Sequence, residues 1–137
     1  MKKVLVDTGF LAALFRRNDR QRAAARDYLI AHRHPLMTVS AVIVEACFFL
    51  DPRGKSDLLQ WVQRGGIAVV DIPVAAYASI EVLIRKYADR DIDFTDAALV
   101  WLALESGLRE ILTVDEKDFA VFRLKAGKRF DIVPWMR

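Results

Sequence analysis

Two short apolar segments near opposite ends of the chain have the same design: KVLVD at residues 3–7 and EILTVD at residues 110–115. Each is rich in β-branched residues and ends in an aspartate, which is typical of a buried strand that carries a polar residue to its C-terminal edge. In open parallel sheets, functional groups gather at the carboxyl ends of the strands. The two segments therefore predict that Asp7 and Asp115 lie at the functional edge of a sheet.

Strand and helix patterns alternate along the rest of the chain. Three more strands are predicted at 36–39, 67–72 and 130–134, and helices are predicted at 8–15, 19–33, 41–50, 56–63, 74–88, 93–106 and 116–122. Ser40 is the predicted N-cap of the third helix, and Pro52 is predicted to stop that helix. The alternation predicts an α/β fold with a central, mostly parallel sheet and helices on both faces.

The composition predicts one compact domain over residues 1–137. Hydrophobic residues make up 54% of the chain, which is enough for a sizeable core. Asp7 interrupts the N-terminal apolar run, and no apolar stretch reaches the roughly 18 residues that a membrane span needs, so we expect a cytoplasmic protein without membrane contact. Cys47 is the only cysteine, which excludes an intramolecular disulfide and a thiolate metal cluster.

Glu45 is the only charged residue in the stretch 36–50. Its helical neighbours three and four positions away are all apolar: Ala41, Val42, Phe48 and Phe49. The spacing therefore predicts that the carboxylate leaves a largely buried helix face. Because a buried, unpaired carboxylate costs several kcal/mol, it needs a bound cation or an ion pair with an arginine. The sequence leaves both explanations open.

The other acids of interest each have a structural explanation. Asp7 and Asp115 both precede a predicted helix, and either one alone would be explained as its N-cap. Asp93 and Asp96 both lie at the start of the helix in DFTDAALVWLALESG, where capping and the helix dipole favour an acid. We assign Asp93 or Thr95 to capping and Asp96 to a functional site.

Carboxylates that converge at one sheet edge repel each other unless divalent cations neutralise them. Oxygen ligands without histidine or thiolate favour Mg²⁺ or Mn²⁺ over Zn²⁺. Two such ions about 4 Å apart can lower the pKa of an attacking water and stabilise the leaving oxygen. Hydrolysis of a phosphodiester is the reaction that fits this arrangement.

Four stretches of the chain occur in the order and spacing of one known family. They are VLVDTGFLAALF, SAVIVEACFFL, DFTDAALVWLALESG, and ILTVDEKDFAVFR followed by FDIVP, and they cover nearly the whole chain. Together they resemble the PIN domain family, and more closely the VapC-type toxins of prokaryotic toxin-antitoxin pairs. The resemblance implies a three-layer α/β/α fold and an endoribonuclease that depends on Mg²⁺ or Mn²⁺. It also implies a homodimer that is inhibited by a cognate antitoxin.

The resemblance also assigns roles to residues of this chain. It implies four catalytic, metal-binding acids: Asp7, Glu45, Asp96 and Asp115. Thr8 and Thr113 match hydroxyl residues that support these acids as hydrogen-bond donors. Asp93 and Asp118 are extra acids beside motif positions, and each is either a further metal ligand or simply solvated.

Five arginines follow the first predicted helix within eleven residues, which places positive charge near one rim of the acidic site. We expect Arg16 and Arg17 to contact RNA phosphates, which gives affinity with little sequence selectivity. Lys117, in a second basic cluster near the C-terminus, is a further candidate. The alternative is an ordinary solvated helix face, partly paired with Asp19 and Asp27. A net charge of +3 is compatible with either interpretation.

Two other classes of protein are alternatives to the nuclease. A phosphatase of the haloacid dehalogenase type needs a second aspartate two residues after the first, and that position is Gly9. A catalytically silent module could keep the PIN fold and bind RNA or a partner protein. The presence of all four acids favours the enzyme.

Overall fold

A computed structural model describes residues 2–137 of the chain. The strands are β1 (Val4–Val6), β2 (Leu36–Val39), β3 (Ala68–Val70), β4 (Glu110–Leu112) and β5 (Asp131–Ile132). The α-helices are α1 (Thr8–Phe15), α2 (Arg22–Ala31), α3 (Ser40–Cys47), α4 (Pro52–Gln63), α5 (Tyr77–Lys86), α6 (Phe94–Ser106) and α7 (Glu116–Val121).

The five strands form one sheet in the order β3-β2-β1-β4-β5, and every pair of neighbours is parallel. Right-handed crossovers put the helices between β1 and β3 on one face and those between β3 and β5 on the other. The packing agrees for most of the helices, because α1 contacts α2, α3 and α4, and α5 contacts α6. Helix α3 also contacts α6. The predicted α/β fold, with a parallel sheet covered on both faces, is confirmed.

The central strand β1 explains where the site lies. Its three residues are completely buried, as expected for an apolar strand between two parallel neighbours. Val6 pairs with Leu112 of β4, and the backbone N–H of Asp7 donates to the carbonyl oxygen of Leu112 at 2.9 Å. Asp7 and Thr113 therefore leave the sheet side by side at its carboxyl edge.

Several predicted boundaries differ from the structure, and two of them lie near the site. Helix α2 begins at Arg22 instead of residue 19, because Asp19 forms a turn in which its Oδ1 accepts a hydrogen bond from the N–H of Gln21 at 2.8 Å. Strand β4 ends at Leu112, so that Asp115 follows a short loop and does not end the strand itself.

The predicted roles of Ser40 and Pro52 are wrong. Ser40 is the first residue of α3, and the N-cap position belongs to Val39, without a side-chain hydrogen bond. Helix α3 already ends at Cys47, and Pro52 opens α4, where Asp51 Oδ1 accepts from the N–H of Gly54 at 2.8 Å. A proline suits the first helical position because its missing N–H would have no partner there.

Helix α6 is the most deeply buried helix of its layer. Eight of its thirteen residues are buried, and it ends at Gly107, whose φ of +76° is the left-handed conformation that favours glycine. Neither α6 nor any other helix within residues 2–137 is both long and apolar enough to cross a membrane.

Candidate active site

Asp7 is the most buried acid at the carboxyl edge of the sheet, with only 5% of its surface exposed. Its Oδ1 accepts a hydrogen bond from the N–H of Thr8, and its Oδ2 accepts one from Thr113 Oγ1, both at 2.8 Å. Burial raises the pKa of Asp7 from 3.8 to about 6, although the bonds from Thr113 and Thr8 oppose this change. The charges of Glu45 and Asp115 contribute to the same rise.

Thr113 links the two acids that the opening sequence pattern singled out. Its hydroxyl donates to Asp7 and accepts a hydrogen bond from the N–H of Asp115 at 2.9 Å. Its carbonyl oxygen accepts from Trp135 Nε1 at 3.0 Å, and both Thr113 and Trp135 are buried. The predicted supporting position of Thr113 therefore has a geometric basis, and Trp135 contributes a contact that sequence reasoning missed.

Asp93 and Asp96 divide the start of α6 as their spacing suggested. Asp93 is the N-cap, with its Oδ1 accepting from the N–H of Asp96 at 2.8 Å. The half-buried Asp96 carboxyl is left for other contacts. Burial is the main reason that the pKa of Asp96 rises from 3.8 to about 8, and the charges of Asp7, Asp93, Asp115 and Glu45 add to it.

Asp115 and Asp118 lie three residues apart at the start of α7, a spacing that puts two side chains on one helix face. Burial and the neighbouring Asp118 raise the pKa of Asp115. Carboxylate oxygens of Asp96, Asp115 and Asp118 lie within 4.8 Å of one another. Asp118 also pairs with Arg90 at 3.4 Å. The i, i+3 spacing was the signal in the sequence that could have placed Asp118 in this group.

Glu45 reaches the same region from α3, but its surroundings differ from the prediction. Its side chain is only half-buried, and of its apolar neighbours Phe48 and Phe49 are 79% and 52% exposed. The expectation of a largely buried face is therefore wrong at this end of α3. No ion pair joins Glu45 to any residue within 2–137, so the arginine that could have explained it is absent there.

Most of these acids line one cavity of about 350 Å³, which we call the acidic cavity, whereas Asp118 lies outside its lining. Thr8 and the cap residue Asp93 line it, together with four acids from separate parts of the fold: Asp7, Glu45, Asp96 and Asp115. The four acids predicted from the sequence are thus brought to one place.

Comparison with known proteins identifies the family. The family model of the PIN domain matches residues 4–124. The chain belongs to the PIN domain family. A relative of this PIN domain, ribonuclease VapC26 of Mycobacterium tuberculosis, is 27% identical over 135 residues, which cover 96% of this chain and 100% of the relative. The predicted resemblance to VapC-type proteins is therefore confirmed, and the relationship to a ribonuclease supports the nuclease class.

Two solved structures share the fold of this PIN domain. VapC20 of Mycobacterium tuberculosis, a sarcin-ricin loop cleaving toxin, superposes with a TM-score of 0.72 at 19% identity, over 82% of this chain and 90% of the other. A toxin-antitoxin complex from Klebsiella pneumoniae gives a TM-score of 0.62 at 20% identity, over 96% of both chains. At these identities the likeness concerns the fold.

The donor atoms of this PIN domain fit a hard divalent cation. They are carboxylate oxygens, which Mg²⁺ and Mn²⁺ prefer, and the four acids form no ion pair with any residue within 2–137. Thr8 supplies an independent observation, because its side chain is only 5% exposed and its Oγ1 has no hydrogen-bond partner among the described residues. A buried hydroxyl that lines a cavity without a partner is suited to a ligand or its water.

A second cavity, of about 570 Å³, adjoins the first and is called here the arginine cavity. It is lined by residues 16–21 with Phe49 and Asp51, and it shares Arg16, Asp19 and Phe49 with the acidic cavity. Arg16 and Arg17 thus lie where the sequence placed them, at the rim of the acidic site. The exposed Lys117 lines neither cavity.

The arginines of this second cavity are not neutralised by the acids that the sequence suggested. Asp27 pairs with Arg137, and Asp19 caps a backbone N–H. Within residues 2–137, Arg16, Arg17 and Arg20 form no ion pair. The alternative interpretation predicted that these arginines pair partly with Asp19 and Asp27, and this predicted pairing is wrong.

Proposed function

We propose that residues 1–137 form one nuclease domain, an endoribonuclease that depends on Mg²⁺ or Mn²⁺. The catalytic, metal-binding acids are Asp7, Glu45, Asp96 and Asp115. One observation carries the proposal: four carboxylates from separate elements line one cavity, and none has a cationic partner within residues 2–137. Ionising four carboxyl groups so close together is costly, and divalent cations relieve that cost.

The chain's own residues prepare the site. Thr113 orients Asp7 through its hydroxyl and fixes the backbone of Asp115, so that one side chain sets the position of two acids. Because the pKa of Asp96 is about 8, this acid holds a proton near neutral pH until a cation displaces it. When bound, Mg²⁺ or Mn²⁺ would lower the pKa of water and stabilise charge on the leaving oxygen. Thr8 lines the cavity, and its Oγ1 has no hydrogen-bond partner within residues 2–137.

Asp93 and Asp118 complete the acidic edge in different ways. One oxygen of Asp93 accepts the capping hydrogen bond of α6, and we assign this residue only an auxiliary role in metal binding. Asp118 approaches Asp96 and Asp115 closely enough to share a cation with them.

The named relatives support a biological setting for this enzyme. VapC26 is a ribonuclease, VapC20 is a toxin that cleaves the sarcin-ricin loop, and the Klebsiella pneumoniae structure is a toxin-antitoxin complex. We infer that this chain is the toxin of a VapBC-type pair, acts on RNA in the cytoplasm as a homodimer, and is inhibited by a cognate antitoxin.

Cleavage of RNA by the purified protein tests the enzyme directly. A broad panel of RNAs is incubated with Mg²⁺ or Mn²⁺, with EDTA, and with the variants Asp96→Asn and Asp71→Asn. Asp71 is the matched control, because it follows β3 as Asp7 follows β1 but does not line the acidic cavity. We expect cleavage by the wild type and by Asp71→Asn, and none with EDTA or with Asp96→Asn.

Intact RNA across the whole panel, with protein shown by circular dichroism to be folded and by mass spectrometry to be free of inhibitor, would refute the enzyme. RNA that is bound but never cleaved would instead identify a catalytically silent module.

A further inference from the structure

Phe49 occupies the boundary between the two cavities. It lies four residues after Glu45, just beyond the end of α3, and lines both the acidic cavity and the arginine cavity. Half of its surface is exposed. An aromatic ring that is left open between a cation-binding site and a group of arginines resembles the aromatic and basic pairing by which proteins hold single-stranded nucleic acid.

The arginine cavity retains unneutralised positive charge. Arg16, Arg17 and Arg20 are exposed and form no ion pair within the described part of the chain. Asp19 and Asp51 also line the cavity, but each directs its Oδ1 to a backbone N–H at 2.8 Å. Three arginines against two aspartates leave the lining of this cavity with a net positive charge, which favours an anionic ligand.

We infer that Phe49 stacks on the nucleobase next to the scissile phosphate, while Arg16, Arg17 and Arg20 bind the phosphates that follow. This inference rests on the proposed ribonuclease function and adds the side chain that holds the base. A base inside a duplex has both faces covered by its neighbours, so stacking on Phe49 requires an unpaired nucleotide at the cleavage point. An apolar protein segment would fit the ring but would leave three guanidinium groups without an anion.

Phe48 provides an unusually close control. It precedes Phe49, is more exposed at 79%, and lines neither cavity. If the exposed end of α3 mattered only for stability or for contact between protein chains, substitution of either phenylalanine would have a similar effect.

The inference is tested by RNA binding, which does not depend on cleavage. Fluorescence anisotropy measures the affinity of a labelled twelve-nucleotide adenosine oligoribonucleotide for protein carrying Asp96→Asn, in Mg²⁺. We expect Phe49→Ala and Phe49→Leu to weaken binding by roughly 5- to 150-fold, the range for one lost stacked base. Phe49→Tyr should retain most of the affinity, and Phe48→Ala should bind as the parent does. Thermal melts of each variant establish that it is folded.

Two further measurements separate the base contact from the phosphate contacts. The parent protein, which carries Asp96→Asn alone, should bind a twelve-nucleotide strand without bases as weakly as the Phe49→Ala variant binds the adenosine strand. Removing the bases should not weaken binding by the Phe49→Ala variant any further. Arg17→Ala should reduce the slope of log affinity against log salt by about 0.7, the value for one phosphate of a single strand.

Equal losses for Phe48→Ala and Phe49→Ala, or an affinity that does not depend on the bases, would overturn the inference. So would a change in molecular mass on sedimentation that accompanies Phe49→Ala while RNA affinity stays constant, because Phe49 would then belong to a protein interface. If the wild-type protein cleaves RNA and Phe49→Ala changes neither RNA binding nor KM, this inference is refuted and the proposed function is not. Absence of cleavage by the wild type refutes the proposed function, and the binding data still decide the role of Phe49.

Discussion

Neutralising Asp7 should stabilise the metal-free protein, and the effect should grow with pH. Asp7 is buried, and the charges of Glu45 and Asp115 make its ionisation harder. Asp7→Asn keeps the shape of the side chain and an oxygen that can accept from the N–H of Thr8, while it removes the charge. The variant tests whether this carboxylate is held in place for a cation at the expense of stability.

The pKa of Asp7 gives the magnitude. Its rise from 3.8 to about 6 corresponds to about 3 kcal/mol, at about 1.4 kcal/mol per pH unit. Because the pKa is raised in the folded state, the stability linked to this group is fully present below about pH 4 and is lost as the pH rises through about 6. The amide cannot accept the hydrogen bond of Thr113, which costs about 1 kcal/mol. The net gain above pH 7 is therefore about 2 kcal/mol, or roughly 7 °C in Tm for a domain of this size.

Thermal melts in EDTA between pH 4 and pH 8 measure this difference, with Asp71→Asn as the control. We expect Asp7→Asn to match or fall slightly below the wild type at pH 4 and to exceed it at pH 8. Mg²⁺ should then raise the Tm of the wild type far more than that of Asp7→Asn, since binding stabilises only the state that holds the ion. A Tm difference that is absent at pH 8, or equally large at pH 4, would refute the reasoning.

Three more variants probe other contacts. Glu45→Ala should abolish RNA cleavage and leave the Tm in EDTA unchanged or higher, since the charge of Glu45 raises the pKa of Asp7. Thr113→Val should raise the pKa of Asp7 further, because it removes a hydrogen bond to the carboxylate worth about 1.5–3 kcal/mol. Below pH 6, cleavage should then fall by roughly 10- to 100-fold relative to the wild type, with recovery at higher pH. Gly9→Ala should impair cleavage by displacing the loop after β4, because a Cβ there would lie 2.2 Å from Val114 Cγ2. Val114→Ala in the same protein should restore activity.

For each of these variants, one result would contradict the expectation. Marked destabilisation of Glu45→Ala in EDTA would point to an ion pair. A parallel pH profile for Thr113→Val would show that its hydroxyl does not set the ionisation of Asp7. Failure of Val114→Ala to rescue Gly9→Ala would place the defect somewhere other than this contact.

The sequence alone predicted the fold class and most of the elements, because the patterns involved are local. A parallel strand buried on both faces has to be apolar throughout, and a helix packed on one side has to place an apolar residue at every third or fourth position. The first constraint is visible in KVLVD, and the second in α5, whose buried Ile80 and Leu83 lie three residues apart. The acids after β1 and β4 were predictable for the same reason, since parallel strands bring their carboxyl ends to one edge.

The tertiary structure decided which side chains share that edge and which ones water can reach. Phe48 and Phe49 seemed to share a buried face with Glu45, yet the chain turns at Cys47 and leaves both rings open. Carboxylate oxygens of Asp118 and Asp96 lie within 4.8 Å of each other, although 22 positions separate the two residues in the chain. Burial and proximity depend on contacts between distant segments, and a local pattern carries no record of those distances. The sequence by itself therefore determined the four acids and the sheet that carries them, whereas the cavity they line, its arginine neighbour and the open ring between them depend on packing.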